Sequence, residues 1–159
     1  MHTKSSRFPS ALLLLLAISA PVCAQSSGTP CVVQVIKPNP GQEAGSHVDV
    51  EGTAELPPDH HVWVFARHES FRGSDEWWPQ NEGRVSPENG KWNVRAVLGG
   101  PQDVGDDFDV AVAVFTPGQH RQLRDFLRKG RETGNYPPIE MPDAACPPVL
   151  RVVRKTSNN

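Results

Sequence analysis

Along most of this chain hydrophobic and polar positions alternate in short runs, and each run stops at a turn rich in proline or glycine. Residues 48–54 (VDVEGTA) put Val48, Val50 and Gly52 on one face and Asp49, Glu51 and Thr53 on the other, the period of a half-buried strand. Residues 91–98 repeat it, with Trp92, Val94, Ala96 and Leu98 inward and Lys91, Asn93 and Arg95 outward. Residues 61–67 (HVWVFAR) and 108–115 (FDVAVAVF) are apolar on both faces, the pattern of central strands covered from two sides. Residues 31–37 and 149–153 read as the first and last strands, and 76–80 (EWWPQ) as a short segment that Pro79 keeps at an edge. Residues 83–86 and 91–98 flank Pro87-Glu88-Asn89-Gly90, where Asn-Gly predicts a hairpin.

One helix is predicted. Thr116-Pro117-Gly118-Gln119 supplies an N-cap, a proline at the first helical position and a capping-box glutamine. From there to about Arg131, Leu123, Phe126 and Leu127 gather on one side, and Arg121, Arg124, Arg128 and Arg131 on the other. Its apolar face is expected to lie down across one end or edge of the strands. About seven short strands with turns between them predict an all-β, immunoglobulin-like β-sandwich with one short helix before the last strand. A single Ig-like domain is expected over residues 25–155, with a disordered tail at 156–159.

The first 24 residues carry a different pattern. Lys4 and Arg7 precede an apolar run from Ala11 to Ala20, and Val22-Cys23-Ala24 ends in a small residue. This is the form of a secretory signal peptide, with Gln25 as the expected mature N-terminus. The run is far shorter than the ~20 residues that span a bilayer, so no transmembrane anchor is expected. Lipidation at Cys23 would want a small residue before it, and Val22 stands there. Export places the protein in the periplasm or outside the cell. In that compartment the remaining cysteines, Cys31 and Cys146, pair most simply as a disulfide.

Without Lys4 and Arg7, 14 of the 16 cationic residues face 18 acidic ones, a formal charge of −4. This mild acidity argues against nucleic acid as a partner, which calls for a basic excess.

The run VWVFAR, then EWWPQ, then NGKW, then LGGPQDVGDDFDVAVAVF resembles a class of poorly characterised bacterial exported Ig-like modules. In these a V-W-V strand, a W-P-Q segment, a G-x-W hairpin and a G-x-x-F-x-V strand follow in the same order, with a short helix after them. The resemblance covers residues 48–127. It implies the sandwich fold and an extracytoplasmic accessory role, and brings no catalytic residues.

Candidate chemistry is sparse. Trp63 and Trp92 sit in apolar strands and read as core between the sheets. Trp77 and Trp78 are adjacent, so in a strand one of them faces outward. Beside Gln80, an exposed indole could stack on a sugar ring or anchor a protein. His60, His61 and His68, with Glu69, cannot easily share one ion, because the strand separates them. Asp103, Asp106, Asp107 and Asp109 offer oxygen ligands to Ca²⁺ but lack EF-hand spacing, and aspartate is common in turns. No metal or cofactor is expected. The arginine stripe reads as a solvated face that could meet an acidic partner or an anionic envelope polymer.

There is no G-x-S-x-G, no plausible cysteine nucleophile and no Ser–His pairing readable from spacing, so an enzyme is not expected. The sequence therefore points to an exported, non-enzymatic binding module that contacts a protein or glycan of the cell envelope, as an inhibitor, immunity-type or accessory protein. The alternative is a carbohydrate-binding module using an exposed Trp. The expected contact residues are Trp77, Trp78, Gln80, Arg121, Arg124 and Arg128.

Overall fold

The computed structural model describes residues 30–159. The expected signal peptide at 1–24 lies outside them, and so does most of the leader that follows it. The elements run β1 (Val32–Lys37), β2 (Gln42–Ala44), β3 (His47–Glu55), β4 (His61–His68), β5 (Glu76–Gly83), β6 (Lys91–Val97), β7 (Asp107–Phe115), α1 (Pro117–Thr133), β8 (Ile139–Glu140) and β9 (Cys146–Lys155). Seven of these match expected strands, but residues 76–83 run as the single strand β5 and residues 84–86, expected as the first arm of a hairpin, form no strand. The two additional ones, β2 and β8, span three and two residues, too few for a period to show in the sequence.

The strands form two sheets, β1-β3-β6 and β2-β9-β7-β4-β5-β8. Between them lies one core, built from Val48 and Val50 of β3, Trp92, Val94 and Ala96 of β6, Val62 and Val64 of β4, and Val110, Val112 and Val114 of β7. Trp92 fits because Gly52 and Gly83 face its ring; a Cβ at either position would press on the indole. Its N–H is the one buried side-chain polar atom without a hydrogen-bond partner among the described residues.

A second core lies on the opposite face of the large sheet, under α1. Trp63, Phe65, Ala111, Ala113, Phe115 and Trp77 meet Leu123 and Leu127 of the helix. This explains why β4 and β7 are apolar on both faces. It also corrects two expectations. The helix covers the broad outer face of a sheet rather than an end or edge, and Trp63 packs beneath it rather than between the sheets. Each buried leucine contributes about 1.5–3 kcal/mol, enough to hold a helix that would be marginal alone.

The ends of α1 form as its sequence specifies. Thr116 accepts from the Gln119 N–H, Gln119 Oε1 accepts from the Thr116 N–H at 3.0 Å, and Gly134 closes the helix at φ 70°. The hairpin expectation is corrected as well. Ser86 N–H donates to the Lys91 carbonyl at 2.8 Å, but β5 and β6 belong to different sheets. The turn carries the chain across the sandwich. β6 pairs instead with β3, which satisfies its backbone and aligns Trp92 with Gly52.

Cys31 and Cys146 form the expected disulfide, their Cα atoms 6.0 Å apart across 115 residues of sequence. The last four residues, read from the sequence as a disordered tail, are hydrogen-bonded here: Thr156 N–H donates to Ala44 and Ser46 N–H to Asn159. No helix among the described residues is long and apolar enough to cross a membrane.

Candidate functional site

The small sheet is narrower than the large one and leaves the inner face of β5 uncovered beyond β6. The opening there is a cleft of about 720 Å³. Trp78 shares this inner face because it pairs with Ala66, while Trp77 points to the outer face. The two indoles therefore part as adjacent strand residues must. Trp77 is buried under α1 with the Arg67 guanidinium 4.1 Å from its ring centre, and offers no surface to a partner. Trp78 lines the cleft, with Phe71 edge-on at 5.2 Å and its own N–H donating to the Tyr136 carbonyl at 3.0 Å.

Gln80 sits at the bulge between the Val64–Asn81 and Phe65–Pro79 pairs. Its Oε1 accepts from the Val97 N–H at 2.8 Å and its Nε2 donates to the Trp78 carbonyl at 3.1 Å. Both ends of the amide are engaged, so Gln80 ties β5 to the edge of β6 and shapes the cleft wall. Tyr136 and Arg131 close the far side. Tyr136 lies over Gly130, where a Cβ would overlap its ring. Arg131 has no ion-pair partner among the described residues.

At the opposite wall His68 ends β4. Its Nδ1 lies 2.7 Å from Ser70 Oγ and accepts the Ser70 backbone N–H at 3.1 Å. Its Nε2 lies 3.0 Å from Asp106 Oδ2, and its ring meets Phe108 edge-on at 5.1 Å. Ser70 and His68 line the cleft, with Asp106 behind them.

The four aspartates divide: Asp103 and Asp106 gather with His68, their donor atoms all within 4.8 Å of one another, whereas Asp107 and Asp109 are drawn off to arginines. Asp109 receives Arg67 at 2.8 Å and Arg72 at 2.9 Å, and Asp107 pairs with Arg154 at 3.2 Å. Asp103 caps its own turn by accepting from Gly100 N–H at 2.7 Å. Burial pushes the Asp109 carboxyl up, but the hydrogen bonds from Arg72 and Arg67 prevail and hold it below the usual carboxylate range.

His60, His61 and His68 stay apart, as their spacing requires. His61 instead stacks on His120, ring centres 3.6 Å apart and planes within 11°, while its Nδ1 meets Glu82 at 2.9 Å. His61, Glu82 and His120 hold donor atoms close enough to suggest a metal, but parallel rings cannot both aim in-plane lone pairs at one ion. His120 Nδ1 is already committed to the Trp63 N–H at 3.2 Å. The group is better described as a helix latch. Of the arginine stripe, Arg128 is spent on Asp125 and Glu132, whereas Arg121 and Arg124 are exposed and unpaired among the described residues.

The sequence missed His120, Glu82, Ser70, Phe71 and Tyr136. Only His68-Glu69-Ser70 carries a local signal, a side-chain cap at the end of a strand. No protein-family model, curated protein or solved structure matches the chain.

Proposed function

We propose that the protein is an exported immunoglobulin-like binding module, periplasmic or secreted, whose partner in the cell envelope is a glycan held in the cleft at Trp78. The order β1-β3-β6 facing β9-β7-β4-β5 supports the Ig-like assignment, since it follows the A-B-E and G-F-C-C′ pairing of such sandwiches. The disulfide is compatible with an oxidising compartment.

The lining of the cleft carries the ligand assignment. Trp78, Phe71 and Tyr136 provide aromatic surface beside the amides of Asn81 and Gln102, and charges of both signs, Asp103 and Arg131, face the same space. A strongly charged ligand would meet repulsion from one or the other. A polyhydroxylated ring can stack on an aromatic and use donors and acceptors alike.

The test is titration of the disulfide-formed protein with soluble peptidoglycan fragments and neutral oligosaccharides, followed by tryptophan fluorescence and calorimetry. Binding should weaken about tenfold or more in Trp78→Ala, a loss of at least ~1.4 kcal/mol, and stay unchanged in Arg121→Glu/Arg124→Glu. A protein partner on the helix is the second reading, favoured by those two unpaired guanidinium groups. It predicts the reverse: a stoichiometric protein from envelope extract, lost on charge reversal and indifferent to Trp78→Ala.

A further inference from the structure

We infer that Arg131 makes the cleft selective for an acidic sugar, holding the carboxylate of a ring stacked on Trp78. This rests on the glycan reading above and names the class of glycan bound. Among the described residues, three side chains able to carry positive charge line the cleft: Arg67, His68 and Arg131. Arg67 is engaged by Asp109 at 2.8 Å and by the Ser74 carbonyl at 2.9 Å. His68 is engaged by Asp106 and by the Ser70 N–H. Arg131 alone has neither an ion pair nor a hydrogen bond among the described residues, in contrast to its helix neighbour Arg128.

The helix sets its direction. Arg131 follows Leu127 by four residues, so the two share one face of α1, and both line the cleft. Leu127 is buried against the sheet, whereas Arg131, one turn further on, is exposed. The structure thereby takes Arg131 out of the outward stripe in which the sequence placed it. The end of α1 gives the guanidinium a weakly favourable field but no acceptor, because the closing carbonyls have their own donors. Gly130 accepts from the Gly134 N–H at 2.8 Å, and Lys129 from the Thr133 hydroxyl at 2.9 Å. Just beyond, the Tyr136 carbonyl accepts the Trp78 N–H at 3.0 Å. The indole is thus tied to the chain that leaves α1, and a ring stacked on it lies toward the helix end that carries Arg131.

Asp103 does not cancel this charge. Its Oδ2 accepts the Gly100 N–H at 2.7 Å and Gln102 Nε2 at 3.2 Å, two donors from its own turn. The cleft therefore holds one compensated charge and one open one. A guanidinium fork takes a carboxylate through two parallel hydrogen bonds. One such group on a polyhydroxylated ring uses the fork while leaving the hydroxyls for the amides of Asn81 and Gln102.

The test is calorimetric titration of the disulfide-formed chain with hexuronic acid oligomers, their carboxylates free or methyl-esterified, beside peptidoglycan fragments and neutral oligosaccharides. The free acid should bind about tenfold more tightly than its ester. Arg131→Gln should abolish that difference while leaving affinity for the ester and the melting temperature unchanged. Arg131→Lys should restore only part of it, since it keeps the charge and loses the fork. Arg124→Gln removes an equal charge outside the cleft and should change nothing. The ester and Arg131→Gln together form a cycle that isolates the pair from general charge effects. Acid and ester bound alike, or both weakened alike by Arg131→Gln, overturn the acidic-sugar assignment and leave the glycan reading standing. Acid binding that survives Trp78→Ala overturns the stacked geometry. Binding of no glycan, acidic or neutral, overturns both readings.

Discussion

The indole N–H of Trp63 donates to Nδ1 of His120 across 3.2 Å, joining a central strand of the large sheet to the first turn of the helix that covers it. Both groups are buried, so each depends on the other for its hydrogen bond. His61 stacks on the far side of the imidazole, and Arg121 and Arg124 approach from the helix itself.

His120 is held below the usual imidazole value, first by burial and then by repulsion from His61, with Arg124 and Arg121 adding to it and Glu82 opposing. The unfolded chain therefore binds this proton more readily than the folded one. The resulting stability is present above the unfolded value of 6.5 and is lost as pH falls through the depressed folded value. Thermal unfolding should show a stability slope below pH 6.5 that flattens in His120→Gln, which can still accept from Trp63 but does not titrate. His120→Ala leaves the indole unsatisfied and should cost about 1–3 kcal/mol at pH 8.

Asp109 is the second electrostatic anchor, holding Arg67 against Trp77 and drawing Arg72 down over the sheet. Its depressed value means that its contribution is complete above the ordinary carboxylate pKa and disappears as pH falls through the lower folded value. Asp109→Asn should destabilise by about 3 kcal/mol in urea denaturation at pH 7, since it leaves the largely buried Arg67 without its counter-charge and Arg72 with only Glu69, 3.7 Å away. An unchanged midpoint would show that solvent compensates the arginines.

Gly130→Ala offers a test of opposite sign to the usual one. In most helix interiors this change gains about 1 kcal/mol. Here the added methyl overlaps the Tyr136 ring and must displace it from the cleft wall. Glycan affinity should fall by more than any change in melting temperature accounts for.

Reducing the Cys31–Cys146 bridge opens the loop it closes over most of the described chain. The chain-entropy argument puts its contribution near 4.7 kcal/mol, with about 2–5 kcal/mol typical of such bridges. Cys31→Ala/Cys146→Ala should therefore fold only marginally, and a melting temperature equal to that of the oxidised protein would place the bridge's contribution close to zero.

The strands were legible because burial imposes a period of two wherever one face meets a core, as at Val48, Val50, Trp92 and Val94. The helix was legible because its cap is local: Thr116 and Gln119 need only each other. The hairpin was misread because Asn-Gly specifies a turn and says nothing about whether the arms then pair. Here β6 finds β3 in the other sheet, since only there does Trp92 meet the space above Gly52.

The site was less legible than the fold. Trp77 and Trp78 were both expected as contact residues with one facing outward, and which of the two it was depended on where the helix lay. Gln80 was picked for a ligand and is held by Val97 and Trp78. His120 hid inside an arginine-rich stripe, and its partners Trp63, His61 and Glu82 lie on two other strands.

What the sequence determined by itself was the longer strands and the helix, the inward faces of the alternating strands β3 and β6, and the pairing of two distant cysteines, because these follow from local periodicity, local capping and a count of thiols. Tertiary structure decided the rest. It laid the helix on the open face of the large sheet and left the inner face of β5 bare beyond the narrow sheet. It also brought Asp106 to His68 across 38 residues of chain. Those outcomes depend on which apolar surfaces cover one another. Burial is non-directional and global, so it leaves no motif in the sequence.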